Sequence, residues 1–444
     1  MDTSSQWPIS IVATQDLACG ARLWSAGGRG RATVIVKATF ALGQDGRLHP
    51  AEPRPILAGD RHYDGSLERS VAAAGDLAPY MPRAEVLFVG HAHALTPVPS
   101  MAVRLAVRGQ RTLVDKTLYV FGERMWLEDQ QITTPVPFTR VPIRWERASM
   151  GHPLTVGTAE GAENPVGMPS GPGKPVFNVV DPHDLYGPAG LSPIAAHWPS
   201  RARLLRDLDP QVLASPRPSV PDTFAWSFFH AAPADQRCSF FQGNEAILLE
   251  GLHPDFPRYQ TELPGAIPEA RVCGRDATGY REVRLVADTL MIDPDHGCLC
   301  LVWRGNFDLE DASALESAQV FAGLAWPGRP IPWPGTAQQV PAELGDQEPA
   351  DSLDAATAVR SEGLPTGAAP APPAPIGTAL RAGATLSSGT LGELARTALR
   401  GDQTAIAQAP PANSLAAQPP IQIIEKGPPS PPTPAEDKPV LEVV

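Results

Sequence analysis

The chain has few of the residues and none of the short motifs that announce chemistry. Five cysteines in 444 residues, spread apart save for Cys298 and Cys300, are too few and too odd in number for a disulfide framework. They read as buried free thiols of a reducing compartment. No Gly-x-Ser-x-Gly sequence occurs, which excludes a serine nucleophile elbow. No phosphate loop or run of metal-ligand spacing is present, so no cofactor is expected. No stretch approaches the ~20 apolar residues of a membrane span, and the opening MDTSSQWPIS lacks a basic segment followed by an apolar core. Both features predict a cytoplasmic protein. Basic charge is scarce too: 36 Lys+Arg stand against 48 Asp+Glu, for a net charge of −12. A nucleic-acid backbone or an anionic membrane would be approached against repulsion, and neither is expected as a partner. No segment repeats at a fixed period, which argues against a solenoid or propeller.

Proline is present in excess. Its 51 residues are about twice the ~5% share of an ordinary domain, and they are unevenly placed. Composition breaks near Trp333. Residues 334–444 are dominated by Ala, Pro, Gly, Ser and acidic side chains, with runs such as Pro365 to Pro375 and Lys426 to Pro439. This segment is too poor in large apolar groups to offset the entropy of folding, and it reads as a disordered acidic tail. One local signal interrupts it: Thr390-Leu391-Gly392-Glu393 has capping-box spacing, followed by Leu394 and Leu399, with Gly401 beyond. That predicts a short helix over 391–400, stable only against a surface that accepts Leu391, Leu394 and Leu399.

Residues 1–333 read as mainly β: a large multi-stranded antiparallel domain, sandwich or barrel-like, with few helices. In Ala32 to Leu42 the residues Val34, Val36, Ala38, Phe40 and Leu42 fall on one face, with Thr33, Lys37 and Thr39 on the other, which predicts a half-buried strand. Met101 to Val107 and Thr112 to Phe121 follow the same logic. Glu85 to Ala94 is apolar on both faces and suits a central strand. Arg281 to Ile292 and Cys298 to Trp303 are expected to form a hairpin through Asp293-Pro294-Asp295-His296-Gly297. A helix is expected from a cap at Asp308, through Leu309, Ala312, Leu315 and Ala322, to Gly323. The Gly/Pro-rich stretch from Thr155 to Pro221 is expected to supply loops that carry contact surface.

Several constellations invite chemistry. His91 and His93, two apart on a strand, share a face as a metal pair requires. The neighbouring sequence offers no third ligand, and so apolar a strand also suits hydrogen-bonded core histidines, the reading adopted. Cys298 and Cys300 share a face without a second pair to complete a tetrahedral site, and they read as core. Asp293 and Asp295 fail the spacing of a calcium loop and read as solvated turn residues. Glu146, between Arg144 and Arg147, suits either a catalytic carboxylate or an ion pair holding local structure; the structural role is preferred. Asn164-Pro165-Val166-Gly167 reads as a turn.

Five segments in one order carry a resemblance: Gly75 to Ala94, Arg144 to Ala148 (RWERA), Glu163 to Gly167, Phe229 to Arg237 and Asp288 to Phe307. Together they resemble the bacterial domain of unknown function 2169 family, whose genes lie in type VI secretion clusters beside spike, tip and effector genes. The resemblance implies a non-enzymatic adaptor or chaperone that binds a secreted effector, or a spike or tip protein, and assists its loading. The matching positions are Trp145, Glu146, Arg147, Asn164, Pro165, Gly167, Pro233, Gln236, Asp288 and Trp303. Each is expected to bind a partner or to maintain the fold. Two other readings stand beside it. A hydrolase or carbohydrate-active enzyme on a β scaffold requires two of Glu146, Asp288, His91 and His93 to converge in a pocket, and a structural piece of the secreted particle requires no site.

Overall fold

Ala32 to Leu42 sets the pattern of the fold. The computed structural model describes residues 9–128, 131–151, 162–273, 280–309, 319–328, 330, 331 and 333, and the tail lies outside the described residues. Strand β3 (Arg29–Leu42) is the longest and pairs on both edges, with β2 (Leu17–Ala26) and β22 (Cys298–Asp308). These three belong to an eight-stranded sheet that also holds β15 (Ser219–Val220), β21 (Val286–Asp293), β7 (Ala84–Phe88), β16 (Arg237–Cys238) and β4 (Leu48–Pro50). A five-stranded antiparallel sheet runs β14 (Val179–Val180), β10 (Thr112–Phe121), β9 (Ser100–Arg108), β17 (Ala246–Glu250), β18 (Arg258–Glu262). A third sheet orders β1 (Ser10–Ala13), β23 (Gln319–Ala325), β19 (Ile267–Cys273) and β20 (Tyr280–Val283). Two-stranded ribbons complete the set: β5 (Arg61–His62) with β6 (Val71–Ala73), β8 (His91–Val98) with β12 (Phe138–Pro142), and β11 (Arg124–Met125) with β13 (Pro175–Val176).

Alternation explains the packing. Val34, Val36 and Phe40 of the large sheet share one apolar core with Val103, Leu105 and Leu249 of the five-stranded sheet and with Val320 and Leu324 of the third. Each such side chain, fully buried, contributes about 1.5–3 kcal/mol. The mainly β, multi-sheet architecture expected from the sequence is therefore present. Strand β3 differs in one respect: its polar face is buried as well. Segment 51–81 straps across it, with Ile35 against Ile56 and Val302. Lys37 Nζ reaches Asp76 Oδ2 at 2.8 Å, the Arg54 N–H donates to Thr39 Oγ1 at 2.9 Å, and Thr33 Oγ1 donates to the Pro79 carbonyl at 2.7 Å. A covering strap with matched polar partners is invisible to periodicity, which registered only a change of polarity between faces.

Three further expectations change. Residues Glu85 to Ala94 form two strands. β7 is buried on every residue, and after Gly90 the chain turns into β8, whose later half faces solvent. Arg281 to Ile292 likewise divides, β20 joining the third sheet and β21 the large one. The helix expected from Asp308 to Gly323 is not formed over its described part. Asp308 ends β22 and pairs with Arg31 at 3.0 Å, while Gln319–Ala325 is β23, bonded between β1 and β19. Ala322 and Gly323 fit a helix stripe, but Val320, Phe321, Ala322 and Leu324 are all buried, the signature of a strand covered on both faces. The hairpin after Asp293 is present, closed by Gly297 at φ 65°. Among the described residues no helix is long and apolar enough to cross a membrane.

Candidate functional site

The RWERA segment continues the alternation of β12. Val141, Ile143 and Trp145 point inward and are buried, so Arg140, Pro142 and Arg144 face out. The Trp145 indole N–H donates to the carbonyls of Ser192 and Pro193 at 3.1 and 3.0 Å, and Trp198 meets its ring edge-on with centroids 6.0 Å apart. Asn164 Nδ2 donates to the carbonyls of Trp145 and Ser149 at 2.8 and 2.9 Å. Gly167 closes the expected turn, its N–H donating to the Asn164 carbonyl at 3.1 Å, with Pro165 exposed inside it. A Cβ on Gly167 would lie 2.5 Å from Asn164 Nδ2 and 2.7 Å from the Ser149 carbonyl, so only glycine fits.

The expected ion pairing inside RWERA gives way to outward partners. Glu146 accepts from the Ser70 N–H at 2.8 Å and from its hydroxyl, fixing ribbon β5–β6 to the motif. Arg147 pairs with Glu123 and also donates to Asn178 Oδ1, while Arg144 lies 3.5 Å above the Tyr63 ring. The charged residues of the motif are thus all engaged by partners outside it. Asp64, Arg69, Pro142, Arg144, Glu146 and Arg147 line an open cleft of about 200 Å³.

The remaining family positions lie inside the molecule. Gln236 is wholly buried and donates to the carbonyls of Val86 and Leu191 at 2.8 and 3.0 Å, while its Oε1 accepts from Lys116 at 3.2 Å. Pro233 starts the short turn that delivers it, its carbonyl accepting from the Gln236 N–H at 3.0 Å. Asp288 is buried against the Arg304 guanidinium; burial pushes its carboxyl up to about 6, against the pull of that cation. Trp303 packs in the main core. Loops between Thr155 and Pro221 are less open than expected: residues 162–221 include the buried Phe177, Asn178, Leu191 and Trp198, while 152–161 lie outside the described residues.

His91 and His93 meet a residue that sequence separation concealed. Both project from β8 toward the tip of the β21–β22 hairpin, where Asp295 bridges them. One carboxylate oxygen bonds His91 Nδ1, and the other accepts from His93 Nε2 at 2.8 Å. Arg140, opposite His93 in the ladder, reaches Asp295 Oδ2 at 3.2 Å and His91 Nδ1 at 3.1 Å. Burial alone would raise the Asp295 carboxyl, but hydrogen bonds from both imidazoles outweigh it and hold the group far below the usual carboxylate range. Asp293 is equally unlike a solvated turn residue: it is buried, caps the turn through the His296 N–H, and pairs with Arg54 at 2.9 Å. The hairpin aspartates are anchors because the strap and β8 cover the tip.

Of the four groups of which an enzymatic reading required two in one pocket, His91 and His93 come together through Asp295, while Glu146 bonds Ser70 and Asp288 pairs with Arg304. Cys298 and Cys300 are core residues with thiols raised by burial. Sequence reasoning missed four exposed apolar side chains on two linked ribbons. Segment 122–127 pairs with 131–136 through Val136 N–H to Glu123 O and Thr133 N–H to Met125 O, both 3.0 Å. On this ribbon and the adjoining β8–β12 pair, Leu95 is 74% exposed, Val136 59%, Leu127 43% and Met125 41%. The signal was available: Leu95-Thr-Pro-Val98 breaks the apolar pattern of Glu85 to Ala94 with a proline. The candidate docking residues Thr390, Leu391, Glu393, Leu394 and Leu399 lie outside the described residues.

A family model described as an uncharacterized protein conserved in bacteria (DUF2169) matches residues 27–304. No curated protein and no solved structure matches the chain.

Proposed function

Since this chain belongs to the DUF2169 family of bacterial proteins, we propose that it is a non-enzymatic adaptor of a type VI secretion system. It binds a secreted effector, or a spike or tip protein, in the cytoplasm and holds it for loading. The observation that supports this reading is the set of large apolar side chains held in solvent on two linked ribbons: Leu95, Met125, Leu127 and Val136. Exposed apolar side chains of this size, where they adjoin, mark protein-binding surface. The neighbouring cleft adds Arg69, Arg144 and Arg147, and arginine is enriched where interfaces concentrate their binding energy. Residues of the family pattern then serve as the frame: Trp145, Asn164 and Gly167 fix the turn from which the arginines project.

The test is capture of the tagged chain from a lysate of its native cells, with identification of what co-purifies. An effector or spike component retained at stoichiometric level is expected. Capture of the chain alone, under conditions where the secretion genes are expressed, would contradict the proposal.

A further inference from the structure

We propose that His91, His93 and Asp295 form a divalent transition-metal site of the zinc class that staples the β21–β22 hairpin to the root of ribbon β8–β12. The donors fit in kind: two imidazoles and one carboxylate are the protein ligands of many zinc centres, and the same set holds other first-row metals. They fit in position, because one donor atom from each side chain lies within 4.8 Å of the other two.

The backbone holds the site from both sides. β8 is bonded along one edge to β12, and on the other the His93 N–H donates to the Gly251 carbonyl at 2.9 Å. The alternation of the strand sends both imidazoles the same way while Ala92 between them is buried. Asp295 sits in a turn fixed by Pro294 and capped by Asp293, so its carboxylate is presented by a rigid loop. Zinc bonds of about 2.0–2.1 Å place tetrahedral ligands roughly 3.3 Å apart. The His93 Nε2 to Asp295 separation of 2.8 Å needs only a small side-chain rotation to reach that. A metal takes the place of the protons that the imidazoles share with the carboxylate, so binding releases protons. Arg140 is the cation beside the site. Its side chain is 56% exposed, so it swings toward solvent or keeps the carboxylate oxygen that the metal leaves. His91, His93 and Asp295 are partly exposed, which leaves a side open for a water ligand.

Titration of the purified full chain with zinc, followed by calorimetry, tests this without any partner, so its outcome is separate from that of the adaptor reading. One saturable equivalent is expected, with a rise in Tm on loading and, for cobalt in its place, visible absorption of a four-coordinate centre. D295N and H93Q should each weaken binding by at least about tenfold. R140A retains all three ligands and removes the competing charge, so it should bind as tightly as the parent or more so. Absence of saturable binding, or binding that D295N and H93Q leave unchanged, or loss of binding in R140A alone, would overturn the proposal.

Discussion

Trp145 and the two arginines beside it divide the labour of one short segment. The indole is buried and donates to two carbonyls, whereas the guanidinium groups line an open cleft. Trp145→Ala should therefore cost about 3–5 kcal/mol, the range for emptying an aromatic site in a core. Arg147→Ala should cost under ~1 kcal/mol, since its partner Glu123 is exposed. Urea denaturation of the two variants checks the contrast, and equal losses would mean that the arginine is structural. Asp288→Ala is expected to cost about 3–5 kcal/mol, because it strands the buried Arg304 without its counter-charge. At this scale the sequence singled out RWERA but misplaced the partners. Ser70 lies 76 residues from Glu146, and no local spacing encodes that meeting.

Strands were more legible than their arrangement. Period-two alternation located β3, β9, β10 and β22 because each has a face in the common core. It could not distinguish one buried face from two, hence the unexpected strap over Thr33, Lys37 and Thr39. It also could not separate a buried strand from a helix in Gln319–Ala325, where successive apolar residues satisfy either period. The turn after Asp293 was legible because Gly297 adopts a left-handed conformation. Gly297→Ala should cost about 1 kcal/mol, measured as a shift of the urea midpoint at constant slope. Hydrogen exchange should separate the elements in a definite order. β3, β21 and β22 are bonded on both edges within the large sheet and should exchange only with global unfolding, while ribbon β8–β12 should open at lower free energy. Uniform protection of ribbon and sheet would count against the ribbon as an adaptable contact element.

Over the whole molecule, charge is carried inside as well as outside. Glu85 is buried with His230 Nδ1 at 3.4 Å and the Ala232 N–H at 2.8 Å. Burial would raise its carboxyl, but the neighbouring His230 and the Ala232 N–H lower it below its ordinary 4.5. The sign follows from linkage. A carboxyl depressed in the fold gives stability that is complete above its unfolded value and is lost as pH falls through the folded one. Thermal unfolding between about pH 5 and about pH 3 should therefore decline more steeply for the parent than for Glu85→Gln, which keeps an acceptor for Ala232. Parallel curves would remove Glu85 from the account of acid sensitivity.

The sequence also made the class of the molecule legible: a β scaffold without a nucleophile elbow or phosphate loop, and a family pattern over most of its first 300 residues. It did not reveal the exposed ribbons, since apolar residues read as core until a structure places them outside. The same blindness hid Asp295 from His91 and His93, more than 200 residues away.

The central claim is that this molecule works by holding another protein on those ribbons. Binding of a co-purifying effector or spike protein to the parent and to a Leu95→Asp, Val136→Asp double variant tests it most directly. The variant is predicted to keep its Tm and circular dichroism and to lose at least about tenfold in affinity, as expected when a charge replaces an apolar interface contact. A variant that binds the partner as tightly as the parent does would contradict the account.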